Sequence, residues 1–182
     1  IDALGENRVQ EMTAKLADNA YDGAPLHIIG HLQRNKVKKV VGKVALIQSV
    51  GSMELPEENE KVAAREQLVQ DILLEVNIGG EEAKSGFAPE AVTAAAEAAL
   101  ALPHVRVRGL MTIPPADADR DANMRYFQEV QALYVDINTK LFHNELKCLS
   151  MGMSGDYMDA IRCGATMVRV GTAIFGARHY NI

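Results

Sequence analysis

Two stretches near the end of the chain hold the residue types best suited to chemistry. Leu149-Ser150-Met151-Gly152-Met153-Ser154-Gly155-Asp156 runs from an apolar, strand-like segment into a helix start. It offers the hydroxyls of Ser150 and Ser154, a flexible backbone and the free N–H groups of a helix N-terminus. Together these suit an oxyanion such as phosphate. Val168-Arg169-Val170-Gly171-Thr172 ends the last strand-like segment with a fixed cation, an open backbone and a hydroxyl. A blander reading is that Ser154 caps the next helix and Gly171 permits a tight turn. Spacing alone favours neither.

Other candidates are weaker. His31 has the right type for proton transfer near neutral pH, although a hydrogen-bonded loop role is simpler. His27 alternates into a strand and packs, and His104, His143 and His179 read as surface residues. Met111, Met151 and Met153 suit a pocket lining or, better, core filling. No lysine ends a strand-like segment. Lys43 precedes one, Lys147 lies near the start of another, and Lys84 sits in a glycine-rich loop where a solvated role is expected. Lys36, Lys38 and Lys39, and likewise Glu57, Glu58 and Glu60, read as solvated helix faces, and no two carboxylates are spaced as an acid–base pair. Cys148 and Cys163 form no Cys-x-x-Cys pair and have no histidine cluster beside them, so neither zinc nor a disulfide framework is expected. Two unpaired thiols fit a reducing cytoplasm.

These residues need elements to hold them. Short, continuous apolar runs lie at 26–30, 44–50, 72–78, 105–112, 146–151 and 167–171. Strands buried on both faces of a parallel sheet read this way. Helical stretches at 6–19, 35–41, 56–69, 89–102, 119–141 and 156–163 alternate with them. In the longest, Met124, Phe127, Val130, Tyr134, Ile137 and Leu141 form one apolar stripe. The alternation predicts a parallel sheet with helices outside. Ile1-Asp2-Ala3-Leu4 reads as the tail of one more strand, which makes about seven βα units. A closed (β/α)8 TIM barrel needs eight, so the expectation is an α/β barrel whose first unit lies before Ile1. A doubly wound open sheet is the rival, but no Gly-x-Gly-x-x-Gly turn follows an early strand. In such a barrel the chemistry gathers at the C-terminal ends of the strands, and phosphate sites are often built by the loops after the last two. Both stretches of the opening paragraph fall there.

Composition narrows the partners. The 182 residues are 48% hydrophobic and 24% charged, enough for a core and too apolar for wholesale disorder. A net charge of −5 and a pI near 5.5 speak against nucleic acid. No apolar run approaches the ~20 residues that cross a bilayer. With no Trp, 4 Phe and 5 Tyr, an aromatic cage or base-stacking platform has little material.

Taken in order, the motifs resemble those of a known family. They are Gly5-Glu6-Asn7-Arg8-Val9-Gln10-Glu11, His27-Ile28-Ile29-Gly30-His31-Leu32-Gln33-Arg34-Asn35-Lys36, Val76-Asn77-Ile78, Gly109-Leu110-Met111, the 149–156 stretch, and Thr166 through Arg178. The chain resembles the YggS/PROSC family of pyridoxal phosphate homeostasis proteins from Leu4 to Tyr180. The resemblance implies one barrel domain of the alanine racemase type over residues 1–182, binding pyridoxal 5′-phosphate (PLP) as a cytoplasmic carrier or buffer without firmly established catalysis. It also implies a monomer when the barrel is intact, and no metal. By position it places Ser150 on the phosphate with the backbone at Gly171 and Thr172, Arg169 at the pyridine nitrogen, and Asn7 and Met111 along the pocket, with Met151 and Ser154 nearby. An arginine there leaves the ring nitrogen unprotonated, and an unprotonated ring is a poor electron sink.

The chain departs from the family pattern in two places. The family's Schiff-base lysine belongs to a stretch resembling Ala-Val-Ser-Lys, which is absent here, so that lysine is expected upstream of Ile1. Neither Lys36 nor Lys84 matches its motif. Gly51 stands where the family usually has Asp. Two other functions remain open: a PLP-dependent racemase-like enzyme, against which no tyrosine holds an opposing acid–base position, and a barrel binding another phosphorylated molecule non-covalently. A molecule truly lacking the first unit should carry unpaired strand edges and be prone to association through the gap.

Overall fold

The computed structural model describes residues 1–176. His179, and the motif end at Ala177, Arg178 and Tyr180, lie outside the described residues. Seven strands bond side by side in chain order, every pair parallel. They are β1 (Leu4–Glu6), β2 (Leu26–Ile28), β3 (Leu46–Val50), β4 (Gln70–Val76), β5 (Val105–Thr112), β6 (Cys148–Met153) and β7 (Met167–Arg169). The helices are α1 (Val9–Ala17), α2 (Glu54–Arg65), α3 (Val92–Leu100), α4 (Arg120–Leu141), α5 (Tyr157–Arg162) and α6 (Thr172–Phe175). A 3-10 helix, Arg34–Lys39, takes the place of a crossover helix between β2 and β3.

The sheet is rolled. In a flat sheet four strand spacings would separate β3 from β7 by about 19 Å. Yet Gln48 Nε2 on β3 lies 3.1 Å from Met167 Sδ on β7. This is the nearly closed barrel expected from the alternation, with β1 and β7 as its two edges. Two apolar regions result. The larger packs helix side chains such as Met12, Val62, Val92 and Phe127 against the outward faces of the strands. The smaller fills the barrel interior with Leu46, Leu73 and Met111, joined by Ile113, Cys148 and Met167.

Local departures from the sequence expectations have identifiable causes. The 35–41 helix is 3-10, which stacks positions three apart. Val37 and Val40 are therefore both fully buried while the lysines between stay out, and Val40 N–H bonds back to Val37 O at 2.9 Å. Strand β2 ends at Ile28 because the chain then runs against β1. A Cβ on Gly30 would collide with the backbone of Asn7. Strand β6 starts two residues late because Leu146 is held by α4. Its N–H donates to Asn138 Oδ1 at 2.9 Å, and its carbonyl accepts from Tyr134 Oη at 2.8 Å. Helix α4 begins at the expected place, where Asp119 Oδ1 accepts from Ala122 N–H at 2.8 Å.

Gly109 is the tightest point between β5 and β6. Any Cβ there would be driven into the Cys148 carbonyl. Gly109→Ala should lower the free energy of unfolding by about 3 kcal/mol or more, since rigid backbone must move apart. Gly155→Ala, whose Cβ would enter open space, should stay within about 0.5 kcal/mol. Urea denaturation of the two variants checks both values.

Candidate functional site

Strand side chains alternate between the two faces of the sheet. Moving two residues towards the C-terminal end therefore keeps a side chain inside the barrel. Two residues beyond interior Leu46, Leu73, Cys148 and Met167 stand Gln48, Glu75, Ser150 and Arg169. The barrel is thus apolar below and polar above, at the end where chemistry is expected.

The polar residues form a continuous chain of hydrogen bonds. Arg169 Nη1 donates to Ser150 Oγ at 2.6 Å, and Nη2 donates to the Thr112 carbonyl at 2.8 Å. Ser150 Oγ donates to Gln48 Oε1 at 2.7 Å. Gln48 Nε2 lies 3.0 Å from His27 Nδ1. Arg169 keeps part of its surface open, but its guanidinium sits in desolvated surroundings that lower its pKa to about 10, partly offset by the carboxylates of Glu75 and Asp156. It stays charged at neutral pH. Burial also lowers the pKa of His27 and raises that of the Cys148 thiol to about 11. Glu75 is buried, which pushes its pKa up. Against this act the Ser85 hydroxyl, 3.0 Å from Oε2, and the charges of His31 and Arg169.

A second group of donors lies at the rim. Ser154 Oγ accepts from Gly171 N–H at 3.2 Å and from Ala173 N–H at 3.3 Å. Ser154 therefore does not cap α5, the helix that follows it. It faces the β7–α6 turn. Its loop is closed by Asp156, whose Oδ1 accepts from Met153 N–H at 2.6 Å while Oδ2 accepts from Asn123 at 2.9 Å. Gly152, with φ +90°, lets α5 seat on the strand end, since a Cβ there would lie 2.5 Å from that of Ala160.

The structure thus sorts the expected residues. It brings together Ser154, Gly171 and Thr172 at the rim, and Ser150 with Arg169 just inside. Ser150 is not the hydroxyl facing Gly171. It is fully buried, and both its proton and a lone pair are committed to Gln48 and Arg169. Met151, next to Ser150, points outward into the helix-facing core, so its side chain is not in the pocket. Met111 is fully buried in the interior cluster, and Asn7 sits at the end of β1 against Gly30. Gln48, Glu75 and the bond to His27 were missed as parts of one site. Their signal was parity, a polar residue two places beyond an apolar one within a strand. Lys84 pairs with Glu81 and reaches the Pro114 carbonyl at 3.4 Å, and among the described residues no lysine lies in a strand. Among the described residues no three His, Cys, Asp or Glu side chains cluster as metal ligands, and no helix is long and apolar enough to cross a membrane.

Comparison with known proteins places this arrangement. The family described as alanine racemase, N-terminal domain, matches residues 1–179. A pyridoxal phosphate homeostasis protein of Aquifex aeolicus is 45% identical over 176 residues, covering 97% of this chain and 77% of that protein. The chain belongs to the pyridoxal phosphate homeostasis protein family. A solved structure of an unknown protein from Bifidobacterium adolescentis superposes with a TM-score of 0.90 at 37% identity, covering 96% of this chain and 76% of that one. PipY of Synechococcus elongatus, solved with PLP bound, gives a TM-score of 0.85 at 32% identity, covering 94% of this chain and 80% of PipY. The chain spans about three quarters of the length of these family members.

The buried histidine makes stability depend on pH in a defined direction. The folded pKa of His27 lies below the ordinary 6.5. Above pH 6.5 neither state binds the proton. Below it the unfolded chain takes up a proton that the folded chain refuses, so stability falls with pH until the folded pKa is reached. His27→Asn keeps an acceptor for Gln48 and removes the proton site. Urea midpoints measured from pH 7.5 to 5 should fall less steeply for this variant than for the wild type.

Proposed function

We propose that this chain binds PLP and serves intracellular PLP homeostasis as a carrier or buffer. The observation that carries the reading is the convergence of Ser154 Oγ, Gly171 N–H and Ala173 N–H on one point at the ends of the last two strands, on the same strand end as the half-buried cation Arg169. The relatives' names and the PLP-bound PipY support it.

The residues present fit the cofactor. Two backbone N–H groups now satisfied by a hydroxyl can turn to a phosphate oxygen, with the Ser154 and Thr172 hydroxyls as further donors. Space lies open beside Gly171, where a Cβ would meet nothing within 4 Å. Arg169, held at Ser150 and Thr112, keeps further N–H donors for the pyridine nitrogen. Asn7 and Met111 complete the lining, and Ser150 acts through Arg169. Bound PLP supplies an aldehyde reactive towards amines and a ring that can accept electron density. The chain's part is to grip the phosphate, hold the ring nitrogen unprotonated and exclude water with the apolar floor of Leu46, Leu73 and Met111.

One feature favours holding over turnover. The hydroxyls of Tyr21 and Tyr134 are bonded to Glu6 and to the Leu146 carbonyl, away from the interior. The reading extends to a monomer acting in the cytoplasm, its acidic balance unsuited to nucleic acid.

The test is a parallel titration with PLP and with pyridoxal, which lacks the phosphate, followed by ligand absorbance. PLP should saturate one site and bind far more tightly than pyridoxal. Ser154→Ala should weaken PLP about tenfold, the size of one charge-assisted hydrogen bond, and leave pyridoxal unchanged. Absence of saturable PLP binding, or equal affinity for the two compounds, would overturn the reading.

A further inference from the structure

We infer that Gln48 and His27, on the wall of the barrel opposite β7, are positioning residues that fix the Arg169 guanidinium through Ser150. Its consequence at the ring nitrogen rests on the PLP reading above. The orientation of the guanidinium itself does not.

The argument is one of direction. Arginine has only donors. At 2.6 Å from Arg169 Nη1, Ser150 Oγ must be the acceptor. Its own proton must then go elsewhere, and the polar atom in reach is on Gln48, 2.7 Å away. That atom is therefore the amide oxygen, which turns the amide nitrogen towards His27 Nδ1 at 3.0 Å and Met167 Sδ at 3.1 Å. Both amide protons are spent, so His27 Nδ1 must be the acceptor and its ring proton sits on Nε2. Every bond from β7 across to β2 points the same way, set by the one group that cannot accept. Burial, which keeps His27 neutral, agrees with the acceptor role.

Reversing the amide would set Gln48 N–H against Ser150, leaving Ser150 Oγ facing two donors. The Ser150 proton would then have no acceptor and its oxygen would be shared between the amide and Arg169, which leaves the Thr112 carbonyl at 2.8 Å as the one unshared anchor of the guanidinium and lets it swing more freely. Gln48 thus holds Arg169 from two bonds away without touching the ligand.

Three measurements on the whole chain test this. In the first, nitrogen-detected NMR reads the His27 tautomer in the wild type, with the Nε2–H form expected. In the second, the guanidinium N–H signals of Arg169 should be resolved in the wild type and averaged in Gln48→Leu. The third uses pyridoxine 5′-phosphate, which has no aldehyde and reports non-covalent binding alone. Its dissociation constant should rise about tenfold in Gln48→Leu, as for loss of one bond to a charged group, and its bound ring nitrogen should protonate more readily by ultraviolet absorption. Gln48→Glu keeps the acceptor for Ser150, so it should recover most of the affinity and move the His27 proton to Nδ1. A residue that only filled space would be served better by Leu than by Glu. Should Gln48→Leu fail to fold, Gln48→Met is the substitute, and the wild-type tautomer decides independently. An Nδ1–H tautomer in the wild type, or unchanged Arg169 signals in folded Gln48→Leu, overturns the relay. Failure of wild type to bind pyridoxine 5′-phosphate overturns the PLP reading instead, and the two NMR arms then judge the relay alone.

Discussion

A guanidinium can only donate, and this one has been taken into the mouth of a barrel. The N–H groups that it turns inward call for acceptors, because a desolvated charged donor left without one costs more than an ordinary hydrogen bond gains. Arg169 on β7 meets that demand with a hydroxyl from β6 and a backbone carbonyl from β5, and the hydroxyl passes the demand to β3. These side chains reach one another only because the sheet is rolled. Closure of the barrel and orientation of the cation are thus one arrangement. Opening the sheet would strand a charge, and removing the charge would leave Ser150 without the donor that fixes its direction.

The strand pleat confines this polar group to one end. Inward positions two residues apart change from Leu46 to Gln48, from Leu73 to Glu75 and from Met167 to Arg169. The apolar half supplies a dry floor, while the polar half gains electrostatic strength from the same exclusion of water. Glycines allow the backbone to draw in around it. A Cβ on Gly51 would lie 2.5 Å from Gly86 N and 3.1 Å from Glu75 Oε2. An Asp at position 51, as in the family pattern, would crowd a carboxylate already buried there. With Gly51, that carboxylate is left to Ser85.

Much of the barrel was legible in the sequence, because continuous β-branched runs alternating with an amphipathic period leave few architectures. The 105–112 strand and the start of α4 came out as expected, since both are bounded by strong local signals. The rim loops after the last two strands were legible too, through residue type and position. The division of labour between Ser150 and Ser154 was not, because it depends on partners 102 and 17 positions away along the chain. The Met151 side chain lies in the helix-facing core, in line with core filling. Its neighbour Ser150 points inward, so the pleat alone sends Met151 out. Gln48 stands at a strand end in the sequence and Glu75 could have been found by the same parity, but their link to one site with His27 needed the curvature of the sheet.

The ionisable groups of the interior bear on whether such a site turns substrate over. Enzymes that move protons tune their groups towards the working pH. Here burial moves the Cys148 thiol up to about 11 and His27 below its ordinary value, both away from neutrality, and although it lowers Arg169 to about 10, that group stays charged at the working pH. Burial also pushes Glu75 up towards neutrality, and Ser85, His31 and Arg169 hold it back. Charges that do not change near neutral pH can orient a ligand without exchanging protons with it. An arginine at the ring nitrogen, as proposed for Arg169, would work in the same direction, because it cannot give up the proton that would turn the ring into a strong electron sink. Firm grip with little assistance to chemistry is what a carrier needs, and in the proposed reading both would follow from holding a donor that cannot accept at the mouth of the barrel.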